Sequence, residues 1–242
     1  NYPLSIIHNY SILTSEAIEL CKVLSNLNTS VESMSILSPS RKDSISYSSL
    51  LLERILLKVK PKNIVFSSFG LREGVLYDKL DSKEKKEDSL LLNCYKIGQK
   101  ESRFFKNLLN FYSWMLPLFV NFPIKELRLI KAICLLSDIS WKIHPEYRAI
   151  FSYERIIYSP FVEIDHSERE YIASALYKKY KGKSDLNKGK KLLSEDEYNR
   201  ACIVGKIIEF IYILTGGATF DICHSTIENK NGEVVLKLKG PL

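Results

Sequence analysis

The chain has 242 residues, 45% of them hydrophobic, with a mean hydropathy of -0.08. It is long enough to bury a sizeable core in one large or two modest domains, and no apolar run reaches the roughly 18 to 20 residues needed to cross a bilayer. Five cysteines (Cys21, Cys94, Cys134, Cys202 and Cys223) are odd in number, widely spaced and without a C-x-x-C pair, which argues against a disulfide framework or a zinc site. The net charge of +7 fits an anionic partner such as nucleic acid or polyphosphate. Abundant Lys, Ile, Ser and Asn, the usage of an AT-rich coding sequence, offers a compositional origin for the same charge.

In chain order, a strand is expected over 6–13, a helix over 15–27, a second helix over 45–58 and a buried strand over 64–69. Thr14 and Glu16 suit a helix start, one with a side-chain oxygen and the other with a negative charge at the positive end of the dipole. Gly70 allows a turn, and Gly74 permits close backbone approach before a helix that begins near Val75. Residues 81–88 carry both charges and no apolar side chain, so they read as a solvated linker and the domain boundary.

Beyond the linker the apolar spacing becomes helical, over 90–99, 102–119, 125–141, 146–158, 168–181 and 195–215. Ser167 with Glu170, and Ser194 with Glu197, each fit a capping box, while Gly182 and Gly216–Gly217 supply helix stops. In the last helix Ala201, Val204, Ile208, Ile211 and Thr215 form one core stripe, with Cys202 and Tyr212 beside it. Two strands over 219–227 and 233–238, joined at Asn231–Gly232, predict a β-hairpin.

The polar residues allow several chemistries. Lys178, Lys179, Lys181, Lys183, Lys188, Lys190 and Lys191 are opposed only by Asp185, and Tyr177 and Tyr180 interleave with them. Such a run either attracts a polyanion with steep salt dependence or forms a solvated loop. Arg41 and Arg72 carry guanidinium groups suited to bidentate phosphate contact, although Arg72 could instead pair with Glu73 or tie the turn to a helix. His144 and His166 lie in polar turns beside Arg148, Asp165 and Arg169. The preferred reading is an ion-pair network among those three that orders helix junctions, and the alternative is a cluster facing nucleotide or phosphate. There is no P-loop, G-x-S-x-G elbow or H-E-x-x-H.

The run from Asn63 to Tyr77, a strand, a Gly-Leu-Arg-Glu-Gly turn and a helix start, resembles the end of the second domain in the exopolyphosphatase/guanosine pentaphosphate phosphatase family. His8 to Ile12, Ser40-Arg41-Lys42-Asp43, Tyr47 to Glu53, Leu136 to Trp141, His144 to Arg148 and Ile164 to Arg169 resemble bacterial members in order. The resemblance implies the C-terminal part of a second actin-like, ribonuclease H-like α/β lobe over 1–80, then the linker 81–88. A mainly α-helical, HD-like domain ending in a β-hairpin follows over 89–242. It implies release of terminal phosphate from polyphosphate, or of the 5′-phosphate of guanosine pentaphosphate, by magnesium-assisted attack of water.

Phosphate loops and the acidic general base belong to an N-terminal lobe that nothing here matches, so the chain reads as a fragment or split-gene product. It is expected to be inactive alone, with no catalytic or metal-binding residue. Substrate contact is expected from Arg41, whose matched segment lies near the interdomain cleft, and from Arg72, Lys178, Lys179, Lys181 and Lys183. A homodimer follows from the same resemblance, and a separately encoded N-terminal lobe is a further expected partner; a cytoplasmic location is the default for a chain without a membrane-length apolar run or a basic-then-apolar leader. In an HD-type metal site Asp138 fills the Asp of the His-Asp pair, but Ser137 stands where the His belongs and no histidine lies between Asn9 and Ile143. Asp138 is therefore expected to cap or hydrogen-bond within the core. A non-catalytic nucleotide-binding or interaction module and, less readily, a metal-dependent HD phosphohydrolase remain the alternatives.

Overall fold

A computed structural model describes residues 2–26, 39–181, 190–217, 220–230 and 232–238, without the side chains of 39, 40 and 190. Its contacts divide into two units, Ile7–Leu71 and a second formed by Asn1–Ile6 with Arg72–Leu242.

In the smaller unit β1 (Ser11–Leu13) pairs antiparallel with β2 (Asn63–Val65), Ile12 opposite Ile64. The ladder is carried further by the Asn9 N–H on the Phe66 carbonyl and the Phe66 N–H on the Tyr10 carbonyl, both at 2.8 Å. Between the strands lie α1 (Thr14–Ser25) and α2 (Pro39–Val59), which bury Ala17, Cys21, Ser49 and Leu56. The Glu16 carboxylate accepts the Leu13 N–H at 3.0 Å, placing negative charge at the start of α1 as its sequence position implied. The strands are shorter than their apolar runs.

The larger unit begins with α3 (Leu71–Asp78), which follows Gly70 directly. Gly74 therefore lies inside a helix, and an added Cβ there would meet nothing within 4 Å, so close backbone approach is not its role. Residues 81–88 are not a free linker. Asp81 caps a short 3-10 turn over Glu84–Lys86, and Asp88 caps α4 (Ser89–Glu101) through the Leu91 N–H while pairing with Arg128 at 2.6 Å.

Then come α5 (Phe105–Met115), α6 (Ile124–Leu136), α7 (Arg148–Tyr158), α8 (His166–Lys181) and α9 (Glu195–Leu214). The hairpin of β3 (Ser225–Lys230) and β4 (Glu233–Leu238) completes the unit, with Ile227 opposite Leu236. A 3-10 turn over Ile222–His224 occupies the start of the longer strand that the sequence predicts.

The core sits around α6 and α8. Helix α8 packs against α6, α7 and α9 and is buried on every face from His166 to Lys179, apart from a partly exposed Ser167. Its capping box is formed by Asp165 and Glu168, one residue pair earlier than Ser167 and Glu170. The Asp165 N–H donates to the Glu168 carboxylate, and the Glu168 N–H to Asp165 Oδ1, each at 2.8 Å. The Ser194–Glu197 box does form. At the other end of α9, Gly216 and Gly217 take φ of 58° and 81°, and the Gly217 N–H reaches back to the Tyr212 carbonyl at 2.7 Å. Gly182 lies outside the described residues.

Helix α9 approaches α8 closely at Gly205, where an added Cβ would run into the Ala175 carbonyl oxygen and sit 2.9 Å from Lys178 Cβ. Gly205→Ala is expected to lower unfolding free energy by about 1–3 kcal/mol through overpacking. Gly74→Ala, with open space around it, should gain up to ~1 kcal/mol of helix propensity. Urea denaturation of both variants checks the pair.

Candidate functional site

Asp138 follows the end of α6 and is 1% exposed. The loop between α4 and α5 delivers Arg103 to it. Arg103 Nη2 donates to Oδ1 at 2.7 Å, while Nε and the backbone N–H donate to Oδ2 at 3.1 and 3.0 Å. That bidentate pairing raises the Arg103 pKa, and the guanidinium also lies 5.4 Å over the Trp141 ring. Asp138 thus hydrogen-bonds in the core as its sequence setting suggested, through a partner that the sequence did not reveal.

Lys179, near the C-terminal end of α8, completes the cluster. Its Nζ donates to the Ser137 carbonyl and to Tyr180 Oη at 3.1 Å, and lies 3.5 Å from the Tyr212 ring centroid and 4.5 Å from that of Tyr180. Burial pushes the ammonium down to about 7; the Asp138 charge opposes that, and Arg103 and Arg148 reinforce it. Tyr180 and Tyr212 are raised, first by burial and then by Asp138. Ser137 Oγ and Tyr212 Oη are 3.1 Å apart, so the residue standing in place of a ligand histidine is itself engaged.

Both oxygens of the Asp138 carboxylate accept from Arg103, through its guanidinium and its backbone N–H, so a cation of the protein itself stands where a divalent ion would approach them. Among the described residues no group of three or more His, Cys, Asp or Glu side chains is placed to hold a metal ion.

The expected substrate contacts are dispersed. Arg41 on α2 and Arg72 on α3 are exposed, and they belong to different units. Of the lysine run, Lys181 is exposed, whereas Lys178 and Lys179 are 7% and 6% exposed, and Lys183 lies outside the described residues. Lys179 directs its ammonium at the Ser137 carbonyl, whereas Lys178 lines a groove between α9 and the hairpin.

The expected Arg148–Asp165–Arg169 ion-pair network is absent. Arg148 donates to the Ile143 and Trp141 carbonyls, both at 2.8 Å. Arg169 is 1% exposed and donates to the carbonyls of Ile156, Ile157, Ser159 and Phe161, closing the C-terminal end of α7. Asp165 instead meets Lys125 at 3.5 Å. His166 is buried with Nδ1 2.5 Å from Tyr2 Oη, while His144 is exposed near Tyr147.

Sequence reasoning also missed two buried carboxylates. Glu126 on α6 receives Arg200 of α9 in a fork at 2.6–3.0 Å and the Tyr171 hydroxyl of α8 at 3.0 Å. Glu170 accepts Tyr153 Oη at 2.7 Å and Ser174 Oγ at 2.8 Å, and burial raises it to about 7 against those hydrogen bonds. The interleaved Tyr-Lys-Lys-Tyr of 177–180 was the available signal for the first cluster. Arg103 had none, since its partner lies 35 residues away.

A family model for the exopolyphosphatase C-terminal region matches residues 99–238, which contain the Asp138 cluster, α8, α9 and the hairpin. The match spans more than half of the chain, so the chain belongs to the exopolyphosphatase family, in its C-terminal region. Comparison with curated proteins gives no match.

The two perturbed groups make opposite contributions to pH dependence. Between its ordinary value of 10.5 and about 7, Lys179 is protonated in the unfolded chain and neutral in the folded one. Stability from this residue therefore rises with pH across that window and is lowest below it. Lys179→Met should remove the slope and raise the melting temperature at pH 7. Glu170 holds a proton in the folded chain between 4.5 and about 7 that the unfolded chain has released, so its contribution falls as pH rises through that window. Glu170→Gln, whose amide oxygen accepts from one of these hydroxyls and whose NH2 donates to the other, should melt at higher temperature at pH 8 and unchanged at pH 4. Melting curves from pH 4 to pH 10 test both.

Proposed function

We propose that the chain is the C-terminal portion of an exopolyphosphatase or guanosine pentaphosphate phosphohydrolase and works there without catalytic residues of its own. The observation that carries this reading is the family match, taken with the cation-filled surroundings of Asp138 inside the matched region. The unit Ile7–Leu71 is assigned to the end of an actin-like lobe and the helical unit to an HD-like domain. Phosphate loops, the general base and the magnesium site are placed in an N-terminal lobe outside these residues, which offer no donor set for the ion. With those groups elsewhere, most of the transition-state stabilisation lies elsewhere too.

The part assigned to this chain is polyanion contact and pairing into a homodimer. Of the expected contacts among the described residues, Arg41, Arg72 and Lys181 are exposed and so available to polyphosphate or the guanosine pentaphosphate phosphates. No helix among the described residues is long and apolar enough to cross a membrane, which accords with the cytoplasmic location proposed for it. A non-catalytic nucleotide-binding module is the competing reading; a metal-dependent HD phosphohydrolase is disfavoured by the engagement of Asp138 with Arg103.

Phosphate release from polyphosphate with magnesium should be absent for the chain alone and present when it is mixed with an N-terminal lobe of the family. Release by the chain alone would overturn the assignment. Arg41→Glu, Arg72→Glu and Lys181→Glu should each weaken polyphosphate binding, and should lower the slope of log affinity against log salt by about one. Unchanged slopes in all three would remove these residues from the binding surface.

A further inference from the structure

The hairpin leaves a strand edge that is complementary to itself. Lys230 and Glu233 close the hairpin two residues apart, with the Gly232 N–H on Asn229 Oδ1 at 3.1 Å. In such a hairpin the closing pair exchanges its hydrogen bonds and every second pair does the same. Glu233, Val235 and Lys237 therefore aim their N–H and C=O groups at β3, and Val234, Leu236 and Leu238 aim theirs outward. Among the described residues no strand occupies that outer edge.

The surface under the edge is apolar. On the hairpin's inner side Ile227 is 4% exposed, whereas Val234 and Leu238 remain 61% and 47% exposed. Val234 overhangs a groove of about 620 Å³ whose α9 wall carries Ile203 and Phe210. Both of those are large, apolar and well exposed. An exposed strand edge beside an uncovered apolar groove is a template for another strand.

We propose that two copies of the chain pair through the outer edges of β4, antiparallel and with the two-fold axis at Val235. This rests on the homodimer assigned above and names the surface that forms it. The charge pattern suits a second copy of the same strand. With the axis at Val235, Glu233 of each copy faces Lys237 of the other, giving two cross-strand ion pairs, and Val234 faces Leu236 on the apolar side. Lys237 already meets Glu228 of its own β3 at 2.7 Å, so the incoming Glu233 adds a second carboxylate to one ammonium. The joined strands form a four-stranded sheet whose inner face spans both α9 grooves.

Sedimentation velocity of the full chain from about 1 to about 100 μM tests this, over the range in which micromolar dimers assemble. The wild-type chain should dimerise. Val234→Pro removes an outward N–H without touching the ladder to β3, a change that edge strands tolerate. It should weaken dimerisation at least tenfold, and Glu233→Lys should do the same by placing lysines opposite one another. Glu233→Lys mixed with Lys237→Glu should restore a heterodimer. Trp114 fluorescence serves as the folding control, because its Nε1–H donates to the Ser225 carbonyl at 3.1 Å and so reports hairpin docking. A wild-type chain that stays monomeric throughout would overturn both the dimer and its surface. A dimer unaffected by Val234→Pro and Glu233→Lys would leave the homodimer standing and overturn this edge as its contact.

Discussion

Enclosure of α8 from Glu168 to Lys179 is the constraint on which the larger unit is built. Its sequence is polar, yet Glu168, Arg169, Glu170, Lys178 and Lys179 are all buried with it. Charge removed from water must be compensated, and each neighbouring element supplies part of the compensation. Arg169 takes the carbonyls left open at the end of α7, so two problems, a buried cation and an uncapped helix, solve one another. Tyr153 comes from α7 to meet Glu170, and the segment after α6 offers its carbonyl to Lys179. The helices around α8 are held at fixed rotations because their polar groups must meet its own, a specificity that apolar packing alone does not impose.

The same constraint explains why the matched family region contains a carboxylate that is not a ligand. A metal site needs an open lone pair and a vacancy of the right size. Around Asp138 that place is taken by Arg103. The cluster is better described as a joint between the ends of α6, α8 and α9 and the loop before α5 than as a reaction centre. Family membership and the absence of a catalytic set among the described residues agree when catalysis is assigned to another lobe.

Much of the framework was legible because it depends on local periodicity and caps. The helices α4 to α9, the Ser194 box, the Gly216–Gly217 stop and the hairpin all lie near their expected places. What was not legible depends on enclosure. Lysines in a mixed run look like a solvated face from the sequence, and nothing local distinguishes Lys181, which is exposed, from Lys179, which is not. Arg148, Asp165 and Arg169 suggested mutual ion pairs because opposite charges were close in sequence. The two arginines instead went to carbonyls, which lie within reach only once helix ends have been brought together. The charged 81–88 segment is exposed over 81–87, as its composition suggested, and only its last residue was not legible, since Asp88 is claimed by Arg128 from 40 residues further on.

One consequence of the Asp138 cluster concerns exchange. A bound ion can dissociate, be chelated or be replaced by another from solution, and its occupancy follows the composition of the surroundings. Here the positive charge on the carboxylate is tethered to the backbone at residue 103. Its effective concentration is set by chain geometry rather than by supply. The fold thus carries its own counter-ion into the core, and the pairing of Arg103 with Asp138 does not depend on the ions that the solution offers.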